Sequence, residues 1–330
     1  MATNRRIVLA SRPQGAAGAA NFRLETAALP PIEEGQLLVR NHWLSVDPYM
    51  RGRMNDARSY ATPQPLNETM IGGTVGVVVE SRNPKFAVGD AVAGGFGWQE
   101  FGISDGTTLR KVDPALPLSV YLGAVGMPGV TAWYGLNRII EPKAGETIVV
   151  SAASGAVGSV VGQLAKMAGC QVVGIAGGVE KCGYVCAELR FDACIDYKNE
   201  DVGRRLDELC PRGIDGNFEN VGGDILNAVL PRMNAHGRIA LCGMIAEYDH
   251  EPIALANPRW LLLSRLKLQG FIISEHMQDW PQALQELAAG VAGSKIRFRE
   301  SVVQGLENAP AAFLGLLQGR NFGKQLVKLV

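Results

Sequence analysis

The chain has 330 residues, 47% of them hydrophobic, with 32 basic and 32 acidic side chains. That length and apolar content allow a substantial buried core and favour two domains over one. The balanced charge, with no long block of one sign, disfavours nucleic acid or a membrane surface as partner and fits a neutral metabolic enzyme.

Nothing approaches the roughly 20 apolar residues of a membrane span. Arg5-Arg6 precede only the short apolar run Ile7–Ala10 before Ser11 and Arg12 interrupt, too little for an export segment. The cysteines at 170, 182, 186, 194, 210 and 242 form no C-x-x-C pair and read as reduced thiols. A cytoplasmic protein is expected.

From Arg6 to about Met127 the chain reads as short strands separated by Pro and Gly turns: Ile7–Ala10, Gln36–Arg40, Gly76–Glu80 and Asp90–Ala93. A partly open β-barrel suits such a series. Between Ser119 and Leu136 the residues become small, apolar and helix-compatible, and the domain junction is placed here. A catalytic domain of 1–126 with 297–330 and a nucleotide-binding domain of 127–296 are expected.

Thr147–Val150 is a continuous β-branched run, as in a parallel strand covered on both faces. The spacing Ala152-x-x-Gly155-x-x-Gly158 follows, and from about Ala156 the residues Val157, Val160, Val161, Leu164 and Ala165 have helical period. Strand, glycine turn and helix together make a pyrophosphate cradle, although Ala152 occupies the place of the usual first glycine. Gly169 is a helix-ending residue, and Gln171–Ala176 is the second strand. Alternation continues with a helix at 181–189, a strand at 193–197, a helix at 202–210, a strand at 216–220, a helix at 223–233 and a strand at 237–243. The rhythm predicts a doubly wound parallel sheet with its ligand at the strands' carboxyl ends. Leu266–Ile273 is read as the last strand. Its exposed edge is covered either by a second copy of the chain or by the following helix, which Asp279 is expected to cap. Ile296–Arg299 and Ser301–Val303 read as strands, 309–318 as a helix and 324–330 as a strand, the last ones rejoining the barrel.

An acidic residue at the end of the second strand would hold the adenosine ribose of NADH. Here the strand ends Ile175-Ala176-Gly177-Gly178, and Lys181 follows, so NADPH is the expected cofactor. Tyr197 either contacts the same phosphate or adenine, or is a core aromatic. No metal is expected, because His42, His236, His250 and His276 are dispersed and no closely spaced cysteine set exists. Without a Lewis acid, hydride delivery to an activated C=C bond is easier than carbinol oxidation, since hydrogen-bond donors can stabilise an enolate.

Several segments resemble the zinc-independent medium-chain dehydrogenases/reductases, in the NADPH-dependent alkenal/one double-bond reductase branch. They are Ser45-Val-Asp-Pro-Tyr-Met-Arg, the run from Gly123 to Leu136, Ala152-Ala-Ser-Gly-Ala-Val-Gly, Phe218-Glu-Asn-Val-Gly-Gly, Leu241-Cys-Gly-Met-Ile and Gly319-Arg-Asn-Phe-Gly-Lys. In that branch alanine at the first fingerprint position is ordinary. The resemblance implies a GroES-like barrel beside a Rossmann domain. It also implies NADPH contacts at Gly155, Ala156, Val157, Gly158, Lys181, Tyr197, Asn220, Cys242, Gly243, Met244, Ile245, Tyr248, Phe271, Ile272, Ile273 and Asn321. A homodimer through the Rossmann-sheet edge is expected from the uncovered last strand. Tyr49 and Tyr248 resemble cleft tyrosines, Tyr248 either donating to the enolate or only touching the cofactor while water protonates it. A quinone reductase and a non-catalytic NADPH-binding protein of crystallin type are the alternatives.

Overall fold

In the computed structural model, which describes residues 3–249, 251 and 253–330, the chain divides into two compact units. The first comprises Met1–Leu122, Glu300–Asn321 and Gln325–Val330, and the second Gly123–Arg299 and Phe322–Lys324.

The first unit begins with β1 (Thr3–Leu9) and β2 (Phe22–Ala28), an antiparallel pair. There follow β3 (Leu37–Ser45), α1 (Tyr49–Arg53), β4 (Thr74–Ser81), β5 (Ala91–Gly94), β6 (Phe101–Ser104) and the short β7 (Arg110–Lys111). The sequence reading passed over β2, which is mostly exposed and lacks a clear apolar face. It holds its place through the ladder to β1. β3 is the spine: its whole length pairs with β4, and its first half, Leu37–Arg40, also pairs with β6. Register shifts at Leu38/Val39 and Asn41/Trp43 bend this pair, as bulges do where a sheet must curve. Gly76 sits at the tightest point, where an added Cβ would lie 2.1 Å from the Arg40 carbonyl oxygen.

The second unit opens with α2 (Met127–Tyr134), which continues as π-helix over Gly135–Ile140. Strands and helices then alternate: β8 (Thr147–Ser151), α3 (Gly158–Met167), β9 (Gln171–Ala176), α4 (Val179–Ala187), β10 (Ala193–Asp196), α5 (Val202–Leu209), β11 (Ile214–Glu219), α6 (Gly223–Val229), β12 (Met233–Leu241), α7 (Arg259–Leu263), β13 (Lys267–Gly270) and α8 (Trp280–Ala292). The six strands are parallel in the order β10-β9-β8-β11-β12-β13. This is the doubly wound order, whose reversal lies between β8 and β11. Every residue of β8 is buried, which is why its sequence carries no polar alternation. α3 ends in a Schellman turn: Gly169 N–H donates to the Lys166 carbonyl and Cys170 N–H to the Ala165 carbonyl, with Gly169 at φ +81°.

The chain finishes with β14 (Glu300–Gln304), α9 (Ala309–Leu317) and β15 (Lys324–Lys328). β15 pairs with the second half of β3. The sheet of the first unit therefore runs β14-β15-β3-β4-β5-β7, and the final strands rejoin the amino-terminal ones as expected. α9 contributes Phe313 to an aromatic cluster in which Trp98 stacks on Phe22 at 5.4 Å and meets Phe313 edge-on at 5.8 Å.

Four local expectations need correction. Helix α3 starts at Gly158 rather than near Ala156, because residues 152–157 are spent on the turn. The last parallel strand stops at Gly270; Phe271 leaves the ladder and packs edge-on against Phe218. Ile296–Arg299 forms no strand, since Gln163 saturates its backbone: the Arg297 N–H donates to Gln163 Oε1 and the Arg297 carbonyl accepts from Gln163 Nε2. Asp279 stands at the start of α8 without capping it. Its carboxylate turns to Arg138 on the π-helix, 2.9 Å away.

Candidate cofactor and reduction site

The turn between β8 and α3 is shaped by close approach. Ala152 takes φ +48°, a left-handed conformation that costs a non-glycine residue about 1 kcal/mol. Its carbonyl oxygen then lies under the incoming helix: it accepts from Gly155 N–H at 2.9 Å, and a Cβ on Gly158 would come within 2.4 Å of it. Glycine is therefore required at 158 by backbone, which cannot yield as a side chain could. The amides of Ala156, Val157 and Gly158 take no acceptor among the described residues, leaving a row of donors at the helix start. Gly155 also makes a parallel bridge to Gly323. Gly323 adopts φ +74°, and a Cβ there would lie 2.0 Å from the Arg299 carbonyl oxygen.

The second turn, between β9 and α4, is shaped by charge. Lys181 lies in the first turn of α4, and its ammonium is held below the usual lysine value first by burial and then by the neighbouring charge of Lys198, with Glu180 opposing. Two lysines that repel one another define a place where an anion is favoured. The sequence reading missed Lys198, which follows β10 and lies at no fixed offset from the glycine fingerprint. The buried carboxylate nearby, Asp196, is committed elsewhere: it accepts from Gly178 N–H at 2.7 Å and from Asn199 Nδ2 at 2.7 Å. Burial resists its ionisation, yet these donors and Lys198 keep its carboxyl below the usual range. Tyr197 is 46% exposed, so the core-aromatic alternative is set aside. A Cβ on Gly177 would fall 2.8 Å from the Tyr197 ring.

The ends of β11 and β12 are organised by Glu219, also missed because a carboxylate at a strand end reads as solvated. It is fully buried, and its Oε1 accepts from the Ser151 hydroxyl at 2.6 Å, Val221 N–H at 2.8 Å and Gly222 N–H at 3.0 Å. Asn217 Nδ2 donates to the other oxygen at 3.1 Å. Four donors are what a buried carboxylate needs in place of water. Asn220 is fixed by the same strand end, its N–H donating to Ser151 Oγ and its Nδ2 to the Ser151 carbonyl. The Cys242 and Gly243 amides bond back to the Glu219 carbonyl, and the Ile245 amide to that of Asn220. Cys242 is pushed up to about 12, by burial and then by Glu219, and remains a thiol. Gly222 packs against Met244, where a Cβ would be 3.3 Å from that side chain.

Tyr248 follows the 3-10 turn Ile245–Glu247. Its hydroxyl lies 3.3 Å from where a Gly243 Cβ would be, so the bare strand end admits it. Phe271, Ile272 and Ile273 continue from the end of β13, and the Ile273 carbonyl accepts from Trp280 Nε1 at 3.2 Å. The structure thus brings together on the second unit all the expected cofactor residues except Asn321, which belongs to the first unit. Tyr49 also lies there, at the start of α1 and partly exposed. Burial, then the Asp47 carboxylate, raises its phenol above the ordinary value, so it can donate a hydrogen bond but resists losing its proton.

Among the described residues no group of three or more His, Cys, Asp or Glu side chains could hold a metal. His250 lies outside the described residues. No helix among them is long and apolar enough to cross a membrane.

Two family models match the chain: an N-terminal domain of oxidoreductase over residues 5–112 and a zinc-binding dehydrogenase domain over 156–289. The chain is 47% identical to the NADPH-dependent curcumin reductase of Escherichia coli, covering 99% of this chain and 97% of that protein. It is 41% identical to a 2-alkenal reductase (NADP(+)-dependent) of Nicotiana tabacum, covering 98% and 97%. The crystal structure of CurA from Vibrio vulnificus in complex with NADPH superposes with a TM-score of 0.94 at 47% identity, covering 99% of each chain. The fold and these likenesses define a medium-chain dehydrogenase/reductase. Within that class the chain belongs to the zinc-independent, NADPH-dependent double-bond reductases.

Proposed function

We propose that this protein reduces the C=C bond of α,β-unsaturated aldehydes and ketones, with NADPH held along the carboxyl edge of the parallel sheet. The glycine cradle and the paired lysines support NADPH: a steric demand at Gly158 met by backbone amides, and a doubly basic corner in which the buried Asp196 carboxylate is turned away. In this reading the Ala156–Gly158 amides hold the pyrophosphate, and Lys181, Lys198 and Tyr197 hold the 2′-phosphate and adenine. Asn220, Cys242, Gly243, Met244, Ile245, Phe271, Ile272, Ile273 and Asn321 line the nicotinamide half. Bound NADPH supplies a hydride to the substrate's β-carbon.

The chain's own work is then to manage the charge left on the substrate oxygen. The Tyr248 hydroxyl, above the bare Gly243, donates a hydrogen bond to the enolate and passes a proton toward the α-carbon. A phenol is a fitting neutral donor because its ordinary pKa is about 10. Tyr49 acts as an auxiliary donor. Its raised pKa favours holding a charge over yielding a proton. Glu219 keeps the strand ends in register and touches no substrate.

Removing one donor to a developing oxyanion costs about 10²-fold in turnover. Tyr248→Phe should lower kcat for an enone by about that factor with NADPH affinity unchanged, measured by NADPH consumption and by fluorescence titration. An unaltered kcat would hand protonation to water. A strong preference for a quinone over an enone in the same assay would overturn the substrate class. We further propose a homodimer formed by pairing across the β13 edge, and a cytoplasmic location in keeping with six free thiols. Sedimentation of the purified protein tests the first, a monomer being the contrary result.

A further inference from the structure

Three of the six cysteines converge on one corner of the second unit, away from the strand ends that carry Asn220 and Cys242. Cys182 and Cys186 lie one turn apart on α4, and Cys194 lies on β10 beneath them. The Cys182 and Cys194 thiols interact directly, and Cys186 is near enough to feel Cys182 and to act on Cys194. The two α4 thiols are reachable: a cavity of about 380 Å³ is lined by Cys182 and Cys186, with Asp196 and Asn199 among others, whereas Cys194 does not line it.

The two interacting thiols are not equivalent. Contact with Cys194 favours ionisation of Cys182, against the effect of burial and of the Asp196 and Glu200 carboxylates. Cys194 is correspondingly driven up by Cys182 and by burial, and stays protonated. Cys182, which lines the cavity, is the partner an oxidant reaches first, and Cys194, which does not, is the thiol that follows. Cys186 shares a helix face with Cys182, and its own thiol is raised by burial. A bond between those two would span one helical turn and constrain nothing beyond α4.

We propose that Cys182 and Cys194 form a peroxide-sensitive thiol pair that closes to a disulfide joining α4 to β10. The Cys182 thiolate attacks a hydroperoxide, breaking its O–O bond and giving the sulfenic acid while the hydroperoxide leaves as an alcohol or water. The Cys194 thiol then displaces the sulfenic oxygen as water, forming the S–S bond. Overall, two thiols are oxidised by two electrons and one hydroperoxide is reduced. In sequence the crosslinked residues are close to both lysines, Cys182 following Lys181 directly and Cys194 preceding Lys198 by four residues.

Trypsin can resolve the bond, because cleavage after Lys181, Arg190 and Lys198 places Cys182 and Cys186 on one peptide and Cys194 on the next. The full-length protein would be treated with a small excess of hydrogen peroxide, its remaining thiols alkylated, and the unreduced digest read by mass spectrometry. Peptide 182–190 should appear joined to peptide 191–198, and dithiothreitol should separate them. Cys186→Ser should retain the crosslink; Cys182→Ser and Cys194→Ala should each abolish it, with circular dichroism checking that they fold. The pair is refuted if wild-type protein stays uncrosslinked while Cys182 accumulates sulfinic acid, or if Cys186→Ser is the variant that loses the bond. Neither result bears on NADPH or the reduction of enones, so the two readings can fail separately.

Discussion

The two turns that follow β8 and β9 do neighbouring jobs by different physics. At residues 152–158 the backbone is pressed so close that side chains are excluded, and the available donors are main-chain amides. At residues 177–181 no backbone presses on the turn, since a Cβ on Gly177 would meet the side chains of Tyr197 and Lys198 and one on Gly178 nothing within 4 Å, and the proposed recognition elements are the long side chains of Lys181 and Lys198. In the proposed reading the shape-based cradle accepts any pyrophosphate, and the charge-based corner discriminates a 2′-phosphate from a hydroxyl. The difference teaches that cofactor binding and cofactor choice can be altered independently.

Breaking the first turn should have the largest effect. Gly158→Val drives carbon into the Ala152 carbonyl, and overpacking of this kind costs about 1–3 kcal/mol. NADPH and NADH binding should both be lost by calorimetry, with a lowered melting temperature. Wild-type affinity for either cofactor would show that the turn is not the cradle.

Charge reversal at the second turn should be selective. A hydrogen bond to a charged group contributes about 1.5–3 kcal/mol, so Lys181→Glu should raise KM for NADPH by about 10- to 100-fold while leaving that for NADH nearly unchanged. Equal increases for both would remove the phosphate from this corner. Lys198→Ala should move KM in the same direction by a smaller factor, about tenfold, and an absent effect would return Lys198 to a bystander.

The smallest change should come from relieving strain. Ala152→Gly removes the left-handed penalty but adds freedom to the unfolded chain. A net stabilisation below about 1 kcal/mol is expected, read as a rise of no more than a few degrees in Tm. A clear loss of stability would mean that the Ala152 methyl contributes packing that outweighs the strain.

What the sequence disclosed follows the same division. β8 and Gly169 were legible because burial on both faces and a left-handed cap leave unmistakable residues, β-branched runs and glycine. The parallel, doubly wound character of the sheet followed from alternation, whereas the order of its strands rests on the observed pairing. Lys198 and Glu219 were not legible, since their roles depend on which strand ends become neighbours, and no local pattern records that. Ile296–Arg299 and Asp279 misled for a related reason. Gln163 and Arg138, each more than 130 positions away in sequence, satisfy groups that local rules assign to a ladder or a helix cap. Phe271–Ile273 has strand propensity, but its apolar side chains serve packing after the ladder has ended.

The bridge between Gly155 and Gly323 bears on how this protein can be cut. Residues 322–324 belong with the nucleotide unit although the chain on either side of them belongs to the other. Arg299 lies 3.7 Å over the Phe322 ring, and its carbonyl accepts from the Lys324 amide. A fragment spanning 123–299 would therefore lack the three-residue stitch that bridges to its own glycine turn. Dissecting the molecule calls for permutation or for supplying the missing peptide in trans, since a cut at 299/300 takes 322–324 from the second unit and a cut at 122/123 strips 300–321 and 325–330 from the first.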